Sequence, residues 1–428
     1  MERTVLRPFK ASALAQNTLW LLGGNGLRLG IQSAYFIMIA RSLEPEQYGA
    51  FVAVVALAAI LSPFVGLGTC NLIIRNVAHD QTSLASSWGN GLLVTTISGI
   101  SALAIILACR YVLPPNIPWL TILIVGSADL IFGRITDFCG FAFSAVERFG
   151  PTAQLGVWFS LTRLIGLAFL AGLVRRPGVE QWAAVYLTAS AVTALGAVLW
   201  GLRTFGRPAT DLRRLWKELG EGFYFSAGQA AQNIYNDIDK TMLAKLGDLS
   251  ATGIYGAAYR IVEVTLAPVR SLISAAYPGV FRAGQDGMSG ALSYIRRMLL
   301  KEIAYSAVML ICLIIFAPFV PHILGREYTR TAEALRWLAV LPPLKSVHAF
   351  LADALTGAGY QRLRTGIQVI VAIVNVGINL WIIPTYSWRG AAWSSVACDM
   401  LLACMLAVAT LSVTKREAES SELAKTAA

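Results

Sequence analysis

Apolar runs recur along almost the whole chain, and polar residues cluster in short breaks between them. A helix crossing the hydrocarbon layer needs about 20 mostly apolar residues, because lipid offers the backbone no hydrogen bonds. The pattern predicts about twelve such helices, at 13–40, 48–70, 87–113, 117–143, 153–174, 181–202, 222–246, 251–280, 302–324, 331–357, 364–384 and 390–412. The breaks hold bilayer-edge punctuation such as "EPEQYG", "PPNIP", "RRPGVEQ" and "PTYSWRG". Barrel strands would alternate apolar and polar residues, whereas "SALAIILAC" and "VMLICLIIFAPFV" are apolar on every face. The expected fold is therefore an all-α integral membrane protein.

Composition adds the same conclusion independently: 56% of residues are hydrophobic, only 14% are charged, and the mean hydropathy is +0.61. Lys and Arg concentrate in cytoplasmic connections, so their distribution predicts orientation. With the N-terminus inside, the inner connections hold Arg3, Arg7, Lys10, Arg75, Arg148, Arg203, Arg207, Arg213, Arg214, Lys217, Arg282, Arg296, Arg297, Lys301, Arg362, Arg364, Lys415 and Arg416. The outer ones hold Arg41, Arg110, Arg175, Arg176, Lys245, Arg326, Arg330 and Arg389. This bias of about two to one places both termini in the cytoplasm. It also accounts for the net charge of +11 through anionic lipid rather than nucleic acid. The apolar run after Lys10 is too long for a cleaved signal peptide. Six cysteines and three histidines are scattered without metal-ligand spacing, so the cysteines read as core thiols and no metal site is expected.

The most polar internal connection, "LRTFGRPATDLRRLWKELGEG" at 202–222, divides the chain in two. An N-terminal six-helix lobe is expected over 1–202, a cytoplasmic amphipathic linker over 203–221, a C-terminal six-helix lobe over 222–413 and a cytoplasmic tail over 414–428. Leu212, Leu215, Trp216, Leu219 and Phe223 recur at helical spacing opposite Arg213, Arg214 and Lys217, which predicts a short helix lying on the membrane face. The halves are distantly alike. "YGAFVAVVALAAILSPFVGLGTCNLIIR" from Tyr48 and "YGAAYRIVEVTLAPVRSLISAAYPGVFR" from Tyr255 have equal length and share their opening Tyr-Gly-Ala and closing Arg. A repeat of six spans is parallel, with a pseudo-two-fold axis along the membrane normal, which suits alternating access between lobes.

Charges inside the spans carry the chemistry. On the seventh, Gln229, Gln232, Asn233, Asn236, Asp237 and Lys240 step by three or four along one face, with Asp239 beside it. The eighth has Arg260, Glu263 and Arg270 around Pro268; the first adds Asn25, Arg28 and Gln32; the fourth Asp129, Arg134 and Asp137; the fifth Arg163; the tenth Lys345 after Pro342 and Pro343. A central ionised side chain costs at least about 2.5–3.5 kcal/mol on insertion scales, so these groups cannot all face lipid. Either they pair, Asp237 with Lys240, Arg134 with Asp137 and Arg260 with Glu263 having suitable spacing, or they line a hydrated cavity where cations hold an anionic substrate. Their number on the leading helices of both lobes favours the cavity, with Asp129 and Glu263 the members best explained as mere partners. "DID" at 237–239 has no extramembrane catalytic domain around it, "GNGLRLG" follows no strand, and no Walker sequence is present.

"NDIDKTMLAKLGD" on the seventh span, "TGIYGAAYRI" opening the eighth and "EPEQYGAFVAV" after the first resemble the polysaccharide-unit flippases (Wzx type) of the multidrug/oligosaccharidyl-lipid/polysaccharide (MOP) exporter superfamily. That resemblance implies a transporter, not an enzyme, in a bacterial inner membrane. Its substrate would be an undecaprenyl-diphosphate-linked oligosaccharide of the O-antigen or exopolysaccharide kind, moved from the cytoplasmic to the periplasmic leaflet by a V-shaped pair of lobes. Membrane lipids, a polysaccharide polymerase and chain-length proteins are the implied partners.

The diphosphate carries about two negative charges, and Arg presents a fork that matches phosphate oxygens. Arg28, Arg260 and Arg270 are accordingly the first candidates for the headgroup, with Arg134, Arg163 and Lys345 also in the substrate-binding set. Gln229, Gln232, Asn233 and Asn236 are candidates for sugar hydroxyls. Asp237, Asp239, Lys240, Asp137 and Glu263 form a candidate coupling or gating cluster, with H⁺ or Na⁺ as coupling ion and no other cofactor. Two alternatives stand beside this reading. An H⁺- or Na⁺-coupled multidrug exporter of the same superfamily would hold cationic drugs, which the intramembrane arginines repel. A membrane-embedded polysaccharide polymerase or ligase would need a large outer loop, and every predicted outer connection is short.

Overall fold

The computed structural model describes residues 11–174 and 177–426. Arg3, Arg7, Lys10, Arg175 and Arg176, used above for orientation, lie outside the described residues. The described chain is α-helical: α1 (Ala11–Ser42), α2 (Pro45–Leu61), α3 (Thr69–His79), α4 (Leu84–Ala108), α5 (Trp119–Ser127), α6 (Arg134–Ala145), α7 (Phe149–Leu173), α8 (Val179–Phe205) and α9 (Leu212–Leu246) come first. They are followed by α10 (Leu249–Thr265), α11 (Ala267–Gly284), α12 (Gly287–Phe316), α13 (Val320–Leu324), α14 (Thr329–Leu338), α15 (Leu341–Gly357) and α16 (Gln361–Thr426), the last broken at Ser387. Among the described residues, seven helical stretches are long and apolar enough to cross a membrane, or eight counting the bent pair α14–α15. α9 is not among them, because its polar face dilutes its hydropathy.

Every predicted span has its helix, and the departures have local causes. The second ends at Leu61, where Ser62–Phe64 form a 3₁₀ turn. Gly66, Leu67 and Gly68 then take φ of 84°, 43° and 74°. This left-handed run, which glycine tolerates and leucine resists, starts the short amphipathic α3 that the hydropathy pattern did not reveal. A π-helical segment, Ala128–Gly133, interrupts the fourth span. Pro268 restarts the eighth as α11, and Pro342 and Pro343 open α15 after a 42° bend, in the first turn of each helix, where a missing N–H costs no intrahelical bond. The amphipathic stretch from Leu212 is not a separate surface helix. It forms the first turns of α9, while α8 runs on to Phe205. The C-terminal segment is likewise helical past residue 413, and Glu417 accepts the Met288 N–H (2.7 Å) and the Tyr360 hydroxyl (3.0 Å).

Contacts divide the chain into one unit of Met1–Leu43 with Leu57–Ala230 and another of Glu44–Ala56 with Ala231–Ala428. The first unit has a core of Trp88 stacked on Phe138 (centroids 5.6 Å) and edge-on to Phe205, with Gly91 and Gly201 leaving room for the rings. The second is built on Val280, Met288, Ile295, Phe350, Leu355, Val371 and Leu406. In it the first turns of α2 lie against α10 with backbones nearly touching: a Cβ at Gly49 would stand 1.8 Å from the Leu249 carbonyl oxygen, and one at Gly253 would stand 1.9 Å from that of Pro45. Small residues permit this approach.

Candidate functional site

In the second unit, polar side chains from α9, α10, α15 and α16 join in one network within the spans. The helical step of α9 puts Asn236, Asp237 and Lys240 on neighbouring turns. Lys240 Nζ binds Asp237 Oδ1 (2.5 Å) and donates to the Asn236 carbonyl (3.2 Å). It also sits 4.0 Å from the centroid of the Tyr259 ring. Asp239, turned away from that stripe and buried, accepts from the Tyr255 hydroxyl, the Ser395 hydroxyl (3.1 Å) and the Lys240 N–H (2.7 Å). Lys345 of α15 donates to Asn236 Oδ1 (3.3 Å) and pairs with Asp399 of α16 (3.5 Å). His348 Nε2 lies 3.3 Å from the same carboxylate, which also accepts from Tyr235. Asp399 is 2% exposed, so its charge depends on these partners.

One α-helical turn on, Arg260 pairs with Glu263 (3.1 Å), and Arg270 donates to the Glu263 carbonyl (3.0 Å). Arg270 is exposed and makes no ion pair among the described residues. Gln229 and Gln232 are exposed, and Asn233 is partly buried on the same helix. The set amounts to carboxylates at Asp237, Asp239, Glu263 and Asp399 against cations at Lys240, Lys345, Arg260 and Arg270, with the His348 imidazole in addition.

The first unit holds the remaining candidates in two separate places. Arg163 pairs with Asp129 (3.1 Å), donates to Ser190 (3.0 Å) and is clasped between the rings of Phe159 (3.9 Å) and Tyr186 (3.8 Å). The Tyr186 hydroxyl donates to Asp129 (2.7 Å). This guanidinium is engaged on both faces and at its edge, which is the geometry of a structural tie. Elsewhere a cavity of about 170 Å³ is lined by Arg28, Thr136, Asp137, Ser144, Thr152 and Gly156. Arg134 holds Asp137 (3.1 Å), while Arg28 has no ion pair among the described residues. Gln32 donates to Ser160 (3.4 Å).

The three ion pairs foreseen from spacing are formed. Asp399, Tyr235, Tyr255, Tyr259, Ser395 and His348 belong to the network and were not foreseen. Asp399 carries the same signal as the others, a lone carboxylate in the apolar run "SSVACDMLLAC". Its partners are more than fifty residues earlier, so no local spacing announces them.

A family model described as "Polysaccharide biosynthesis protein" matches residues 14–283, and a MatE model matches 226–381. The "Probable low-salt glycan biosynthesis flippase Agl15" of Haloferax volcanii is 22% identical over 393 residues, covering 89% of this chain and 79% of that protein. The fold is similar to that of the lipid II flippase MurJ in an inward closed conformation, with a TM-score of 0.72 at 11% identity over 92% of this chain and 87% of the other. It is also similar to an outward-facing MATE family transporter of the MOP superfamily, with a TM-score of 0.62 at 16% identity, covering 93% and 96%. With the family model matching well over half of its length, the chain belongs to the polysaccharide biosynthesis protein family and has the two-lobed fold of MOP-superfamily transporters.

Proposed function

We propose that this protein moves an undecaprenyl-diphosphate-linked oligosaccharide from the cytoplasmic to the periplasmic leaflet of a bacterial inner membrane by alternating access, with both termini cytoplasmic. The observation that carries the reading is the concentration of charge on α9, α10, α15 and α16, with Arg270 exposed beside the paired network and without an ion pair among the described residues. The flippase named among the relatives supports a glycan cargo. In this reading the candidates for the diphosphate are Arg28 in the first unit and, separately, Arg260 and Arg270 in the second; Arg28 and Arg270 have no ion pair among the described residues and present forked donors, while Arg260 is paired with Glu263. Gln229, Gln232, Asn233 and Asn236 meet sugar hydroxyls. The Asp237, Asp239 and Lys240 cluster, with Asp137 and Glu263, couples the cycle to H⁺ or Na⁺. Polymerase and chain-length proteins would act on the delivered unit.

The MatE match over 226–381 favours one second reading, an ion-coupled drug exporter. Against it, the network carboxylates among the described residues already have ion-pair or hydrogen-bond partners, which disfavours an organic cation there. The test is flipping of fluorescent undecaprenyl-diphosphate-oligosaccharide in liposomes holding the purified protein, with and without a pH or Na⁺ gradient, beside R270A and R28A. Protein-dependent flipping that both variants lose supports the proposal; gradient-driven extrusion of an organic cation without flipping refutes it.

A further inference from the structure

Among the described residues Glu302 is an intramembrane carboxyl group outside the network that has no ion pair, whereas Asp129, Asp137 and Asp353 are each held by an arginine. Glu302 lies on α12 within the span Met298–Leu324, is 4% exposed, and meets only hydroxyls. Its Oε1 is 3.4 Å from Ser306 Oγ and 3.5 Å from Ser346 Oγ of α15. Each serine has one proton to give. Ser346 Oγ is 2.9 Å from the Pro342 carbonyl, and Ser306 and Ser346 lie 2.9 Å apart with either oxygen able to donate; with Ser346 committed to Pro342, the Ser306 proton is the one left to bridge the pair. Both of these contacts are shorter than those to the carboxylate, whose hydroxyl donors stand at 3.4 and 3.5 Å.

Among the described residues no cation forms an ion pair with Glu302, whose hydrogen-bond contacts are the two hydroxyls. From α15, Lys345 and His348 are turned onto Asp399 of α16, and from α11 Arg270 is bound to the Glu263 carbonyl. From α14, Arg330 and Arg336 are exposed and Glu333 is held by Arg389. On α12 itself Lys301 is exposed, and the Tyr305 hydroxyl donates to the Thr265 carbonyl. The neutral acid, by contrast, completes the group: its O–H reaches the open lone pair of Ser306 Oγ, extending a chain of donors from Glu302 through Ser306 and Ser346 to Pro342.

We infer that Glu302 is a proton-binding site within the membrane, and that its proton is linked to the seating of α15 on α12. The step is the exchange of one proton with water, forming or breaking a single O–H bond. Pro342 and Ser346 belong to the first two turns of α15, just past the 42° bend that separates it from α14. The same turns carry Lys345, which holds Asn236 and Asp399. Loss of the proton would put an uncompensated charge against these turns and loosen them, and the displacement would reach the network through Lys345.

The first arm is infrared spectroscopy of the protein in lipid nanodiscs at neutral pH. A protonated carboxyl C=O band is expected in the wild type, lost in E302Q and displaced in S346A; a band absent from the wild type, or unaltered in both variants, overturns the inference. The second arm measures thermal unfolding at neutral and alkaline pH. The wild type should lose stability on the alkaline side and E302Q should not; identical pH profiles overturn the link to α15. The third arm rests on the flippase reading: E302Q should flip lipid-linked oligosaccharide without the stimulation that a pH gradient gives the wild type, and equal stimulation counts against the site. A protein that shows the band and flips nothing supports the proton site and refutes the transport reading alone.

Discussion

Asp399 to Asn is the most informative single change in the network. It keeps the shape of a side chain that is 2% exposed and removes the charge that holds Lys345 at 3.5 Å. Taking an effective dielectric constant of 20, the Coulomb attraction at that distance is about 5 kcal/mol. The ammonium left behind keeps Asn236 Oδ1 at 3.3 Å and the rings of Tyr235 and Tyr259, whose centroids are each 5.7 Å from its nitrogen, as weaker company. Removing one member of a buried pair costs about 3–5 kcal/mol, because the other stays behind uncompensated. D399N should therefore lose about 3–5 kcal/mol in a reversible SDS unfolding titration, and K345M a comparable amount. The double variant removes both charges at once and should be far less destabilised than the sum, with a coupling energy of at least about 2 kcal/mol. Additive losses, or a D399N loss below about 1 kcal/mol, would show that the two charges are solvated independently and that the network is not a unit.

Other outcomes follow from single contacts. G253A should destabilise by about 1–3 kcal/mol through overpacking against the Pro45 carbonyl, whereas G26A, with nothing within 4 Å of the added methyl, should not; chemical denaturation of the pair measures the contrast. R163K should unfold earlier by about 1–2 kcal/mol, since an ammonium cannot be stacked by Phe159 and Tyr186 while bound to Asp129. S387G should raise stability by about 1 kcal/mol, because Ser387 holds φ of 52° and ψ of −132° at the break in α16. Tyr360, in the turn before α16, is pushed above its ordinary value by its hydrogen bond to Glu417, so that contact is complete at neutral pH and lost as pH rises through the raised value; E417Q should lower the phenolate midpoint in an ultraviolet titration.

Hydropathy made the spans legible because lipid imposes one length and one composition on every crossing. The breaks at Pro268 and Pro342 have an equally local cause, the missing N–H, although the sequence predicts 251–280 and 331–357 each as one stretch. The π-helical Ala128–Gly133 left no such trace; it carries Asp129, whose partners Arg163 and Tyr186 lie on other helices. The candidate site was legible wherever partners sit three residues apart, as in Asp237 with Lys240. It was invisible where they come from separate helices, as in Asp399 with Lys345 or Asp239 with Tyr255 and Ser395.

The seam between α2 and α10 sets a problem of timing for the growing chain. Gly49 leaves the ribosome about 200 residues before Leu249, the residue whose carbonyl it will touch. At about 5–20 residues per second, the first turns of α2 wait on the order of 10–40 s for their partner. During that interval the bare glycine face of α2 is open to any other helix in the same membrane, so the insertion machinery, or the neighbouring helices already delivered, must keep it from pairing prematurely.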